Sequence, residues 1–138
     1  MTTRTEAFAA RMIDVVSRHD YASLADIVGA GAVFHTPRFL RSITDREHIV
    51  AVLQGIVQVL PDFRYRRWWT TEHEAIMQFE GHVAGGDIVA HGIDIFTVGE
   101  DGRFTELTVF LRPTKAIEAI GALEDLHVRA RLAARPPV

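Results

Sequence analysis

One carboxylate stands out because of where it falls. The stretch DIVAHGIDIFTV, residues 87–98, has the pattern of a β-strand, and Asp94 sits inside it between Ile93 and Ile95. A carboxylate buried there without partners costs several kcal/mol, so it is either satisfied by neighbours or lines a cavity where an acid has a task. In an apolar pocket, desolvation raises its pKa and makes it a proton donor near neutrality. Tyr65, Arg67 and Trp69 alternate along DFRYRRWWTT and share one face with Phe63. If that face is inward, Tyr65 and Trp69 offer a ligand hydrogen bonds and aromatic walls, while Arg67 is a potential ion-pair partner that would keep Asp94 charged.

Other polar residues carry weaker chemistry. His35 and Thr36 are neighbours, so a strand turns them to opposite faces; a bulge at Pro37 would exchange them. Glu80, His91 and Arg112 form a cross-strand row that reads as an outer-face polar network. The remaining histidines (19, 48, 73, 82, 91 and 127) have no metal-ligand spacing such as HxxxH, so no metal site is expected. The turn residues Gly85–Gly86 and Asp101–Gly102 precede no helix and cradle no phosphate.

The chain that must position these groups has 138 residues, 48% of them hydrophobic and 24% charged, the balance of a globular domain able to bury a core. With a net charge of −3 it has no basic footprint for nucleic acid. Having no cysteine, it has no thiol nucleophile and no thiolate metal site. The opening MTTRTEAFAARMIDVVSRHD lacks a secretion signal's apolar run, and no stretch approaches the roughly 20 apolar residues of a membrane span. A cytoplasmic protein without membrane contact is expected.

Thr3–Glu6 (TRTE) fits a capping box, opening a helix whose stripe is Phe8, Met12, Val15, Val16 and His19. DYASLADIVG reads as a short second helix stopped at Gly29, and AVFHTPRFL (32–40) as an edge strand because of Pro37. A second capping box at Thr44–Glu47 opens a helix with Ile49, Val52, Leu53, Ile56, Val57 and Leu60 inward, closed by Pro61. The period then changes to two, giving strands at about 62–70, 74–83, 87–98 and 103–112. A helix follows from about 114 to 131, then a fraying tail, ARPPV. Helices followed by an antiparallel meander indicate an α+β fold.

Gly85–Gly86 and Asp101–Gly102 suit two-residue hairpins. Such turns place Met77 and Val109 beside Asp94, Phe79 and Leu111 beside Gly92, and Gly81 opposite Ala90. Gly92, Ala90 and Gly81 are small, so a hollow is expected at that end. The opposite face carries Ile76, Ile93, Ile95 and Phe110, which suggests a second subunit as its cover.

The run GIDIFTVGEDGRFTELTVFLRPTKAIEAI, preceded by LPDFRYR and VFHTP, resembles the nuclear transport factor 2-like superfamily in its SnoaL-like branch, over about residues 6–120. The resemblance implies one cone-shaped, cystatin-like α+β domain over 1–138, with a curved antiparallel or mixed sheet wrapped around the N-terminal helices, and homodimers through the outer sheet face. In the ketosteroid isomerase branch the oxyanion-hole aspartate occupies the position of Asp94, an acid kept neutral by its apolar site. The general-base aspartate of that branch falls at Thr36 and its donor tyrosine near Met12, so two of the three groups are missing. The epoxide-hydrolase pattern needs an arginine and two aspartates, and Asp94 is the one inward acid on these strands. Two readings stand. One is a cofactor-independent isomerase, cyclase or dehydratase for a small apolar ligand, with Asp94 as acid, base or oxyanion donor. Its pocket would be built from Tyr65, Trp69, Thr36, Met77, Phe79, Met12, Val109 and Leu111. The other is a non-catalytic binding or dimerisation module in which Asp94 is structural.

Overall fold

The protein is represented by a computed structural model that describes residues 1–134. Helix α1 (Arg4–Ser17) starts where Thr3 accepts a hydrogen bond from the Glu6 N–H, and it buries Phe8, Met12, Val15 and Val16 on one stripe. Tyr21–Ile27 form a 3-10 segment rather than an α-helix. The first strand, β1 (Val28–His35), begins four residues earlier than its sequence pattern suggests, passes through Gly29, and stops two residues before Pro37. Helix α2 (Arg46–Val59) is capped by Asp45, which accepts from the Glu47 N–H; this single cap stands in place of the expected capping box at Thr44–Glu47. Leu60, just past its end and before Pro61, is fully buried.

Strands β2 (Arg64–Thr70), β3 (Glu74–His82), β4 (Val89–Val98) and β5 (Phe104–Arg112) lie within two residues of the expected limits. Helix α3 (Thr114–Ala133) ends the described chain; most of the expected fraying tail lies outside the described residues. The sheet order is β1-β5-β4-β3-β2, with β1 parallel to β5 and the other neighbours antiparallel. The chain thus has the α+β architecture with a mixed sheet, and β1 is an edge strand. No helix of the described residues is long and apolar enough to cross a membrane.

Register at the centre is as the turn positions imply. Asp94 lies between Met77 and Val109, Gly92 between Phe79 and Leu111, and Gly81 opposite Ala90. The turns themselves differ. The β3–β4 loop closes with Val83 N–H on Ile88 C=O at 2.9 Å and places Ala84 and Gly85 at φ 52° and 71°. At the other hairpin, Gly99 donates to Arg103 and Gly102 turns at φ 81°, as in a three-residue loop with a bulge. A one-residue shift between Thr97 and Val98 absorbs the extra residue before the ladder reaches Asp94.

A second irregularity changes the faces of β2. Tyr65 pairs with Phe79, but Arg67 pairs with Gln78 and Trp69 with Ile76, because the strand bulges between Tyr65 and Arg67. Two residues opposing one reverse the alternation beyond the bulge. Arg67 and Trp69 are thereby turned to the outer face, where the guanidinium lies 5.3 Å from the Trp69 ring centroid.

Two apolar clusters form the core. One joins α1, β1 and α2 to Met77, Phe96 and Phe104; the other joins Leu60, Phe79, Ala90 and Ile120. Ile56, Phe63, Tyr65 and Val109 pack against both clusters. The outer face of the sheet is not buried within the chain: Phe110 is 61% exposed, Trp69 50% and Ile93 36%.

Candidate functional site

Those four bridging residues line a cavity of about 650 Å³, so the cavity sits where the two clusters meet. Its walls come from α1 (Met12, Val16), from α2 (Leu53, Ile56), from the inner face of the sheet and from α3 (Ile117, Ile120). The segment 36–45 forms its rim. A volume of this size suits a small organic molecule, and the walls are mainly apolar, as in most such sites.

Asp94 faces this space from the middle of β4. The strand alternates so that Gly92, Asp94, Phe96 and Val98 turn inward and are buried. Asp94 is 7% exposed, and the Tyr65 hydroxyl donates to its Oδ2 at 2.8 Å. Its Oδ1 has no hydrogen-bond partner among the described residues. Burial pushes the Asp94 carboxyl up to about 7, and the bond from Tyr65 only partly offsets this. Burial, together with the neighbouring Asp94 charge, holds the Tyr65 hydroxyl well above the usual phenol range. The pair therefore consists of a phenol that stays protonated and a carboxyl poised to gain or lose a proton near neutral pH.

Arg67 does not reach Asp94; it donates to Gln78 at 3.0 Å on the outer face. Thr36 lines the cavity, whereas His35 turns away, its Nε2 2.8 Å from Glu106 and its Nδ1 2.8 Å from Ser42. Met12, Phe79, Val109 and Leu111 line the cavity with Tyr65, as their positions imply. Met77 and Trp69 do not. Met77 is fully buried in the core and contributes no cavity surface. Trp69 is expelled by the bulge in β2.

Gly92 leaves no hollow either. A Cβ there would stand 2.3 Å from Phe79 Cζ and 2.8 Å from the Phe110 carbonyl oxygen, so the Phe79 ring already occupies that room. Phe79 in turn stacks on Phe63 at 4.8 Å, and Phe63 meets Tyr65 edge-on at 5.1 Å. This aromatic set holds the Tyr65 ring where its hydroxyl meets Asp94. The outer row of Glu80, His91 and Arg112 is present as expected, but Glu80 is claimed by Arg64 and Arg66 at 2.6 and 2.8 Å.

Glu124 on α3 was not distinguished by strand periodicity, yet it lines the same cavity. Burial, followed by the nearby Asp125 charge, pushes its carboxyl up to about 8, with Arg38 pulling the other way. The available signal is its place in the helical stripe Ile117, Ile120, Gly121, Glu124 and Val128, where it is the one ionisable residue.

This geometry defines a class: a mixed sheet and three helices enclosing an apolar cavity with an inward acid. The chain belongs to the SnoaL-like domain family, whose model matches residues 9–107. A cystatin-like-fold protein of unknown character from Silicibacter pomeroyi DSS-3 is 31% identical, with a TM-score of 0.74 over 92% of this chain and 86% of the other. A steroid delta-isomerase from Pseudomonas aeruginosa superimposes with a TM-score of 0.83 at 24% identity, over 95% of this chain and 96% of the other. A candidate SnoaL-like polyketide cyclase from Shewanella putrefaciens CN-32 shares the fold at a TM-score of 0.63 and 14% identity, over 86% of each chain. No curated protein sequence matches the chain.

Proposed function

We propose that the protein binds an apolar, oxygen-bearing small molecule in this cavity and moves a proton on it through Asp94. The carrying observation is the Asp94 carboxyl itself: it is buried in an apolar cavity, bonded through one oxygen to Tyr65, and left with Oδ1 unpartnered. A carboxyl with a pKa of about 7 divides its time between acid and base near neutrality, which is the range in which general acid–base catalysis is most effective. Protonated, it donates to a ligand carbonyl; ionised, it accepts a proton from an adjacent carbon. Isomerisation, cyclisation and dehydration of a cyclic or polyketide-like molecule all require this and no cofactor. Kinship in fold with a steroid delta-isomerase and a candidate polyketide cyclase supports the same ligand class.

A second reading has its own support. Thr36 and Met12 stand in the cavity wall where the isomerase pattern would place a base and a donor tyrosine, so the cavity can serve binding alone. A pair of measurements separates the two. Thermal shift over lipophilic ketones, epoxides and polycyclic aromatics is expected to show stabilisation of the wild type, rising with ligand concentration as linkage demands. NMR in deuterated buffer is then expected to show exchange at the carbon next to a bound ketone's carbonyl, slowed at least about 100-fold in Asp94→Asn, the scale of a lost general acid–base. Stabilisation without exchange leaves a binding module. No stabilisation by any compound, with a variant that merely unfolds, makes Asp94 structural. We further assign the outer sheet face around Phe110, Ile93 and Trp69 to a homodimer contact, on the ground that its apolar side chains are exposed in the single chain. Sedimentation at micromolar concentration tests it, and Phe110→Glu is expected to yield monomers.

A further inference from the structure

Glu124 is at odds with its surroundings in a way that the packing of α3 does not explain. Ile117, Ile120, Glu124 and Val128 recur at three- and four-residue spacing, so they lie on one face of the helix, and all line the cavity. Only Glu124 among them is ionisable. Its side chain lies across α2 at Gly55, where an added Cβ would stand 3.2 Å from Glu124 Cγ. Glycine is unfavourable inside a helix relative to alanine, and here it provides the slot that admits the Glu124 side chain. Within that slot Glu124 Oε1 is buried with no hydrogen-bond partner.

The charged groups nearby do not satisfy it. Arg38, on the rim segment, is engaged by Asp125 at 2.8 Å and by the Gly121 carbonyl at 3.2 Å. His127, three residues on along α3, has its Cβ 3.6 Å from where a Cβ on Gly55 would stand. Asp45 and His48, at the start of α2, line the cavity mouth together with Arg41. Burial raises the Glu124 carboxyl to about 8, so it is mostly neutral at pH 7. A neutral carboxyl donates to a carbonyl and accepts from a hydroxyl, and a buried one gains most when such a partner arrives.

We propose that Glu124 is the second polar anchor of the cavity, taking the far oxygen of an elongated, rigid, apolar molecule whose near oxygen meets Asp94 and Tyr65. This rests on the cavity being a ligand site. The two anchors lie at different depths. Val109, the cross-strand partner of Asp94, packs against the cluster that holds Ile120, and Glu124 lies one helical turn, about 6 Å, further along α3. The ligand class is therefore a fused-ring or similarly stiff molecule with a carbonyl or hydroxyl at each end.

Two probes on one polycyclic skeleton test the proposal: a monoketone, and the same ketone carrying a hydroxyl at the opposite end. Calorimetric titration at pH 6.5 is expected to give the hydroxyketone about a tenfold advantage on the wild type, the value of one good hydrogen bond. Glu124→Gln, which still donates and accepts, keeps most of that advantage. Glu124→Leu abolishes that advantage, so that the hydroxyketone binds no better than the monoketone, while raising the melting temperature because an unpartnered buried polar group is gone. If Glu124→Leu weakens both probes equally, or neither, Glu124 is no anchor. If both probes bind the wild type and Asp94→Asn weakens both, the cavity reading survives that failure. If neither probe binds the wild type, both proposals fall together.

Discussion

Asp94 and Glu80 sit on adjacent strands of one sheet, and their carboxyls behave in opposite ways. Asp94 turns inward, is 7% exposed and receives one phenol hydroxyl; it is pushed up to about 7. Glu80 turns outward and accepts from Arg66 and Arg64, with His91 at 3.5 Å; it is drawn down to about 2. Neither residue type nor strand position accounts for the difference. The inner face presents apolar surface and no cation, so the charged form is penalised, whereas the outer face presents two guanidinium groups and water. An acid already paired with cations has little proton affinity left for a ligand, and an acid held by a single hydroxyl keeps it.

The largest expected effect separates the two acids by pH. Asp94 has a folded-state pKa above its unfolded value of 3.8, so its contribution is fully present below that value and is lost as pH rises to about 7. The loss amounts to at most about 4 kcal/mol, at about 1.36 kcal/mol per unit. Urea unfolding from pH 5 upward is expected to show stability falling toward pH 7, and Asp94→Asn should flatten that slope. Glu124 acts in the same direction up to about 8, so Glu124→Gln flattens the upper part. An unchanged slope in Asp94→Asn would mean that its carboxyl is solvated, and the contrast with Glu80 would collapse.

The next effect concerns the space around the inner acid. Gly92→Ala is expected to destabilise by about 1–3 kcal/mol, the usual cost of overpacking, because the new methyl meets the Phe79 ring and the fixed Phe110 carbonyl. It should also weaken ligand binding, since displacing Phe79 disturbs Phe63 and Tyr65 behind it. Equilibrium unfolding and titration with any ligand found for the wild type measure both. A silent Gly92→Ala would restore the hollow that the small residues imply.

Gly92 also marks where sequence pattern stops being informative. The partners of Asp94 were legible because alternation and glycine position set a ladder that survives errors in the turns; both loops are longer than expected, yet Met77 and Val109 still flank Asp94. Alternation cannot reveal which neighbour fills a gap, and so Phe79 over Gly92 was hidden. Nor does it reveal a bulge with no glycine or proline to mark it, and one between Tyr65 and Arg67 sends Trp69 outward while leaving Tyr65 in place. Glu124 was hidden for a different reason. Its meaning depends on Gly55 of another helix, a tertiary pairing that no local period records.

The smallest expected effect lies on the outer face and has the opposite sign. The pKa of Glu80 is depressed from 4.5 to about 2, so its stabilisation is present above 4.5 and is lost as pH falls toward 2. The size of that shift overstates the energy, because Arg64 and Arg66 are more than half exposed and solvent screens such pairs to below about 1 kcal/mol. Glu80→Gln should therefore lower stability by less than that at pH 7, less still in high salt, and leave ligand affinity unchanged. Salt distinguishes the two acids further: the outer effect is screened over about 10 Å at 0.1 M, while the inner one, caused by lost hydration rather than by a partner charge, is not. If Glu80→Gln altered ligand affinity as strongly as Asp94→Asn, the two faces of the sheet would be coupled, and the pairing of Glu80 could no longer be treated as separate from the chemistry of Asp94.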